Sequence, residues 1–348
     1  MSSTANETDP REEIILKLGK NRVLAHQTLF GHRHPSETPP FHHEIIDLWH
    51  SALPRVLLMA FRGGAKSTLS EEAILVEACL RQFKNGVILG ESETRATERL
   101  RAIKHEIEHN PYIEELFGNL VGPVWTETRV ILANGVIIQA YGRGQSLRGV
   151  KHLDQRPDRL FVDDLEDAEA VLTPEARQKW LQWFFSVVLP AMAPEARIRI
   201  AGTPLNPEAL LMKLSADPDW TTRTYPIEYK EASTGIRMAT WESRFPLPEI
   251  DKIRASFERQ GLATQYAQEY MCQSEDPTQK PFKPEMFRIE PRVRAWEAVY
   301  AMFDPARTVK TTSASTGVAI WSWIANRLII WDSYARLWKP DEIIGDMF

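Results

Sequence analysis

The stretch PRVLLMAFRGGAKST (residues 54–68) joins an apolar run to a basic, glycine-containing turn, and helical periodicity follows the turn. Leu69, Ala73, Val76 and Leu80 recur at spacings of four, three and four, the apolar stripe of a helix. Asn85-Gly86 is expected to stop that helix. A strand that passes through a glycine turn into a helix is the setting of a phosphate-binding loop, because the helix N-terminus brings its partial positive charge to an anion there. The usual loop reads G-x-x-x-x-G-K-[ST]. Here Lys66, Ser67 and Thr68 supply the ending, but Ala60 and Ala65 stand at the two glycine positions, and Gly63 and Gly64 sit between them beside Arg62. Lys66 offers an ammonium for β- and γ-phosphates, and Ser67 offers a hydroxyl for Mg²⁺. A lysine at a helix start is ordinary by itself; the strand–loop–helix setting makes this one a nucleotide site.

A second strand, GVILGES (86–92), precedes a helix with Ala96, Leu100, Ile103 and Ile107 on one face. This alternation predicts a parallel sheet covered by helices. TRVILA (128–133) and VIIQAYG (136–142) flank Asn134-Gly135, which predicts a type I′ hairpin. LFVDD (160–164) is an apolar run ending in two carboxylates, a Walker B pattern. Asp163 is the expected Mg²⁺ ligand, and the acid after it would orient an attacking water. Asp164 holds that place, with Glu166 and Asp167 within reach. The strand–helix unit between loop and aspartates marks NTPases whose catalytic acid follows the Walker B aspartate, as in helicases and translocases. AGTP (201–204), closing the strand ARIRIAGTP (196–204), falls where such motors sense the γ-phosphate, with Thr203 as its polar group.

Composition sets wider bounds. The 348 residues admit one large domain or two, and 43% apolar with 26% charged residues is ordinary for a soluble globular chain. A net charge of −5 excludes a global basic field but not a local basic face. Cys79 and Cys272 make neither a disulfide framework nor a zinc motif, which fits a reducing, intracellular compartment. No run approaches the roughly 20 apolar residues of a membrane span. The start, MSSTANETDPREE, lacks the apolar core of a secretory signal and is expected to be a disordered tail. Residues 241–285 read as a linker with a short helical stretch and Pro277, Pro281 and Pro284. Three close strands follow, VYAMFD (299–304), GVAIWSW (317–323) and RLIIWDSYA (327–335), then a helix expected from Pro340.

With its arginine in a deviant Walker A loop, FRGGAKST (61–68) resembles the large terminase subunit of tailed bacteriophages. So do SETRATERLRAIKHEIEHNPYIEELFG (92–118), GRGQSLRGVKHLDQRPDRLFVDDLED (142–167), the coupling motif AGTPLNPE (201–208) and ATQYAQEYMCQSEDP (263–277). The resemblance covers nearly the whole chain from about residue 40. It implies an α/β fold: an ASCE-type P-loop NTPase sheet with flanking helices, a linker, and the start of an RNase H-like nuclease domain. The implied boundaries are an N-terminal extension at 1–38, the ATPase at 39–240, the linker at 241–290 and the incomplete nuclease at 291–348. The implied activity is ATP-driven movement of double-stranded DNA into a procapsid in the host-cell cytoplasm. The implied partners are that DNA, the portal protein, a small terminase subunit and further copies of the chain as a ring, with a monomer when alone.

Roles carry over residue by residue. ATP is expected on Arg62, Gly63, Gly64, Ala65, Lys66, Ser67 and Thr68, with Mg²⁺ on Ser67 and Asp163 and the water oriented by Asp164 or Glu166. Arg148 either reaches a neighbouring subunit's nucleotide or binds a phosphate or acidic neighbour in place. PPFHHEIIDLWH (39–50) lies where the family holds adenine, so His42 and His43 line that pocket or simply pack. Asp304, in VYAMFDPA, matches the first nuclease carboxylate, a ligand for Mg²⁺ or Mn²⁺. Two-metal cleavage needs several carboxylates around metals roughly 4 Å apart. Asp332 reads as structural and the strands that would bring further acids are not in this sequence, so no DNA cleavage is expected. Arg95, Arg99, Arg101 and Lys104 form one basic set, expected as a solvated helix face; Arg143, Arg148, Lys151 and His152 form another, and either could follow phosphates. Two rivals stay open: a helicase-like remodelling enzyme, and a non-catalytic remnant or assembly subunit.

Overall fold

The structure, a computed structural model, describes residues 9–34, 36–147, 150, 155–275, 288, 298–305, 316–324 and 327–336. The chain divides into two units, Met1–Gln279 and Lys280–Phe348.

In the first unit the strands of the main sheet are β1 (Arg55–Ala60), β2 (Asn85–Gly90), β3 (Val124–Trp125), β4 (Arg129–Ile131), β5 (Ile137–Gly142), β6 (Arg159–Asp163), β7 (Arg197–Gly202) and β8 (Thr221–Tyr225), and Glu228–Lys230 pairs with Arg237–Ala239 in a separate small hairpin. The main sheet has the order β3-β4-β5-β2-β6-β7-β1-β8. From β5 across to β8 every pair is parallel, and β3 and β4 add an antiparallel edge. The central strands read as continuous apolar runs because helices cover both faces. Alternate residues serve different cores: Val87, Leu89, Leu160 and Val162 join one cluster, whereas Ile88 and Phe161 join the other. Register aligns the strand ends. Gly90 lies opposite Asp163, Asp163 opposite Ala201, and Gly202 opposite Met59. The loops after β1, β2, β6 and β7 therefore emerge side by side at the carboxyl edge, where open parallel sheets bind ligands. β7 lies between the loop strand and the aspartate strand, and the first unit adopts the P-loop NTPase class expected from the sequence.

Four local expectations need correction. The helix after the loop, Lys66–Cys79, stops well before Asn85-Gly86, which instead open β2. Arg81, at a left-handed φ of 51°, turns the chain. Asn85 is a buried sheet residue, donating to the Val150 carbonyl and accepting from Gln139, and a Cβ on Gly86 would lie 2.7 Å from the Phe83 ring. The β4–β5 connection is not a type I′ turn, because only Gly135 of its central pair has positive φ. Gly135 N–H donates to Leu132 and Leu132 N–H to Val136, the pattern of a three-residue loop ending on a left-handed glycine. Asn134 is occupied elsewhere, donating to the Ala78 carbonyl. Third, residues 10–13 of the supposed tail are helical. Pro10–Lys20 is a helix with Pro at its first turn and Asp9 as its cap, accepting from Arg11 N–H. The fourth, the solvated face expected for Arg99, is corrected below with the site.

Residues 241–275 contain the helices Leu247–Arg259 and Ala263–Glu269. Pro277, Pro281, Pro284 and the helix expected from Pro340 lie outside the described residues.

The second unit contributes β9 (Val299–Asp304), β10 (Thr316–Ile324) and β11 (Arg327–Arg336), an antiparallel sheet in that order. Asp304 pairs with Gly317, which pairs with Ala335, whereas Asp332 pairs with Ile320. Asp332 is thus three positions from the residue level with Asp304. An odd offset puts the two carboxylates on opposite faces of the sheet.

Candidate nucleotide site

The loop between β1 and the helix Lys66–Cys79 resolves the displaced glycines. Gly63 has φ 82°, and a Cβ on Gly64 would stand 2.9 Å from the Phe61 carbonyl oxygen, so both positions require glycine. Ala65, at the usual glycine position, still takes a left-handed φ of 63°. The loop keeps that conformation with a Cβ present, at a local cost of roughly 1–2 kcal/mol. Lys66 Nζ donates to the Ala60 carbonyl at 2.7 Å, so the ammonium lies back along the loop. His42, expected at an adenine pocket or in packing, is buried and donates from Nε2 to the Gly64 carbonyl at 3.1 Å. Its ring lies edge-on to Trp241, and burial lowers its pKa to about 4, so it is a neutral brace under the loop. Phe41, from the same segment, lines a separate cavity of about 640 Å³ with Tyr225 and Trp241.

Arg62, Gly63, Gly64, Ala65, Lys66, Ser67 and Thr68 all line one cavity of about 590 Å³, together with Asp164, Glu166, Asp167 and Thr203. Four charged residues on its wall had no place in the sequence reading of the site: Glu91, Arg99, Arg244 and Glu269. Asp163 ends β6, with Oδ2 2.8 Å from Arg99 Nε. Its other oxygen, Oδ1, is buried with no hydrogen-bond partner among the described residues. Asp164 follows at a left-handed φ of 43°, which aspartate tolerates better than most residues, and its N–H donates to the Ala201 carbonyl of β7. Burial first, then the neighbouring Asp163 and Glu269 charges, raise its pKa to about 6 against the pull of Lys66. At neutral pH it is a carboxylate with raised basicity.

Glu166 is committed differently. Its Oε1 and Oε2 accept the Leu210 and Leu211 N–H groups at 2.9 Å, capping the helix Leu210–Ser215. Burial raises its pKa despite those two bonds. Asp167 pairs with Arg143 at 2.9 Å. Thr203 stands in the loop after β7. Two residues on, the Leu205 carbonyl accepts from Gln268, while Arg62 N–H donates to the Glu269 carbonyl at 2.7 Å. The segment Ala263–Glu269 thus grips both the lysine loop and the AGTP loop.

Arg99 departs from its expected solvated face. It bridges Asp163 and the buried Glu71, 3.1 Å away. The signal was in the periodicity: Arg99 is three residues from Ala96 and four from Ile103, and so shares their inward face. Arg95 is exposed and pairs with Glu91 and Glu98. Arg148, Lys151 and His152 lie outside the described residues, and Asp304 lies in the second unit, exposed at the end of β9.

The oxygen donors suit a magnesium ion. Among the described residues no three His, Cys, Asp or Glu side chains gather into a metal cluster. Mg²⁺ keeps several waters and takes only one or two protein oxygens beside substrate phosphates, so the Ser67 hydroxyl and the unpartnered Asp163 Oδ1 fit its demands.

No protein-family model matches the chain, and no curated protein matches it. Solved structures do. The large terminase of bacteriophage HK97 is similar over 98% of this chain and 70% of its own, with a TM-score of 0.50 and 14% identity. The ATPase domain of the Thermus phage P74-26 large terminase matches 69% of this chain and 94% of its own, with a TM-score of 0.47 and 14% identity. A large terminase from a thermophilic bacteriophage, in complex with ADP, matches 89% of this chain and 73% of its own, with a TM-score of 0.41 and 12% identity. As the sequence resemblance implied, the chain has the fold of a bacteriophage large terminase.

Proposed function

We propose that this chain is an ATP-hydrolysing motor that translocates double-stranded DNA, the role of a terminase large subunit. The observation that carries the reading is one cavity lined by the Lys66–Thr68 loop, Asp164 and Thr203, with Asp163 ending the adjoining strand. In this reading ATP binds with its phosphates against Lys66 and the loop, and Ser67 with Asp163 holds Mg²⁺. The metal supplies charge neutralisation at the β- and γ-phosphates. Asp164, unbonded to any described side chain and raised in basicity, orients and deprotonates the attacking water. Glu166, bonded to backbone, supports the AGTP side of the cavity. Thr203 senses the γ-phosphate, and the grip of Ala263–Glu269 on both loops carries the change onward.

The proposal extends to an ATPase region at 39–240, a linker at 241–290 and a nuclease-like region at 291–348. It extends also to partners: double-stranded DNA, a portal ring, a small terminase subunit and other copies of the chain, to whose nucleotide Arg148 would reach, in the host-cell cytoplasm. Among the described residues no helix is long and apolar enough to cross a membrane. Asp304 would be a metal ligand in the second unit, but Asp332 is on the other face of that sheet and cannot complete its site. A fluorescent ATP analogue titrated into the chain tests the site. Binding strengthened by Mg²⁺ and abolished by Lys66→Ala is expected; equal binding by the variant contradicts the assignment.

A further inference from the structure

The helix Lys66–Cys79 is buried along its whole length from Leu69, yet it carries Glu71, Glu72 and Glu77, each 4% exposed or less. Carboxylates are kept in such places only when paired. Glu72 meets His26 and His34, and Glu77 meets His50 and Arg159. Glu71 pairs with two arginines, Arg33 at 2.6 Å and Arg99 at 3.1 Å. Arg99 continues to Asp163 at 2.8 Å. The result is an unbroken line of ion pairs, Arg33–Glu71–Arg99–Asp163, running from the N-terminal segment to the end of β6.

The line treats the two oxygens of Asp163 differently. Oδ2 is anchored by Arg99 Nε, while Oδ1 is buried with no partner among the described residues. An aspartate carboxylate otherwise turns freely in a broad torsional well. The guanidinium is a rigid fork that can bond Glu71 through Nη1 and Asp163 through Nε at once, which a lysine ammonium cannot reproduce in the same geometry.

We propose that Arg99, seated by Glu71, is a positioning residue that fixes Asp163 so that Oδ1 is the oxygen presented to a divalent cation. The proposal rests on the reading of this cavity as a Mg²⁺–nucleotide site. Groups that orient a metal ligand typically change metal affinity 10–100-fold when removed.

The test is equilibrium binding of a fluorescent, non-hydrolysable ATP analogue to the full chain across a Mg²⁺ titration, with thermal melting alongside. Arg99→Gln is expected to raise the Mg²⁺ concentration for half-maximal strengthening about tenfold or more, a larger change than any in metal-free nucleotide affinity. Glu71→Gln shifts it in the same direction, and Arg99→Lys retains most of the Arg99→Gln shift despite keeping the charge; these two variants carry the test if Arg99→Gln does not fold. An unchanged Mg²⁺ dependence in the folded variants overturns the proposal. So does equal weakening with and without metal, which would make Arg99 a phosphate contact. If the unmodified chain binds nucleotide with no Mg²⁺ dependence, the reading of the cavity falls and the proposal with it.

Discussion

At the scale of single residues the two acids after Asp163 separate by their bonds. Among the described residues the Asp164 side chain has no hydrogen-bond partner, and its pKa is raised to about 6, whereas both oxygens of Glu166 hold helix N–H groups. Asp164→Asn is expected to lower kcat by about 10²–10⁴, the usual worth of a general base. Glu166→Gln, which loses one of two charge-assisted bonds at a helix start, is expected to cost about 1–2 kcal/mol of stability with a much smaller loss of turnover. Steady-state kinetics and thermal melting of both variants check this, and equal kinetic losses would contradict it. Lys66, Ser67, Asp163 and Asp164 were legible in the sequence because their motif is local. The inward face of Arg99 was legible in its spacing from Ala96 and Ile103, but its partners and those of Glu166 were not, since each lies 28 or more residues away and is met only through the fold.

Elements show where charge was hidden. The glutamates of KSTLSEEAILVEAC look like the solvated face of an amphipathic helix, but the helix has no such face; the N-terminal helices cover it with His26, Arg33 and His34. Their pairing makes stability pH-dependent. Burial lowers the pKa of His42 and His50 to about 4, from 6.5. The folded state refuses protons that the unfolded chain accepts, so this stability is full above pH 6.5 and is lost as pH falls towards 4. The carboxylates of Glu72 and Glu77 are held below their ordinary range in spite of burial, chiefly by the hydrogen bond from His26 and by the His50 imidazole 3.4 Å away respectively, and act in the same direction at lower pH. Each of the two histidines held near 4 should forfeit on the order of 2 kcal/mol by pH 5. Urea unfolding at pH 7.5 and pH 5 reads the difference; equal stability at both would refute the assignment. Turn chemistry was only partly legible. Asn134-Gly135 did mark a hairpin, but a side-chain bond from Asn134 to Ala78, remote in sequence, accompanies a different turn.

Across the whole molecule the parallel, helix-covered sheet followed from the apolar runs and their spacing, whereas its order of strands came only with the structure. So did the antiparallel edge β3, because a two-residue strand has too little pattern to read. The lysine loop and the aspartates lie about 100 residues apart in sequence, and β7 between β1 and β6 sets their separation across one cavity. The proposed function is ATP turnover in this cavity in the service of DNA. The direct measurement is phosphate release by the full chain with Mg²⁺, with and without double-stranded DNA, beside Lys66→Ala. Turnover that DNA stimulates and that Lys66→Ala abolishes is expected. Turnover unaffected by Lys66→Ala, or none by the unmodified chain at high concentration with DNA and Mg²⁺ present, would contradict it.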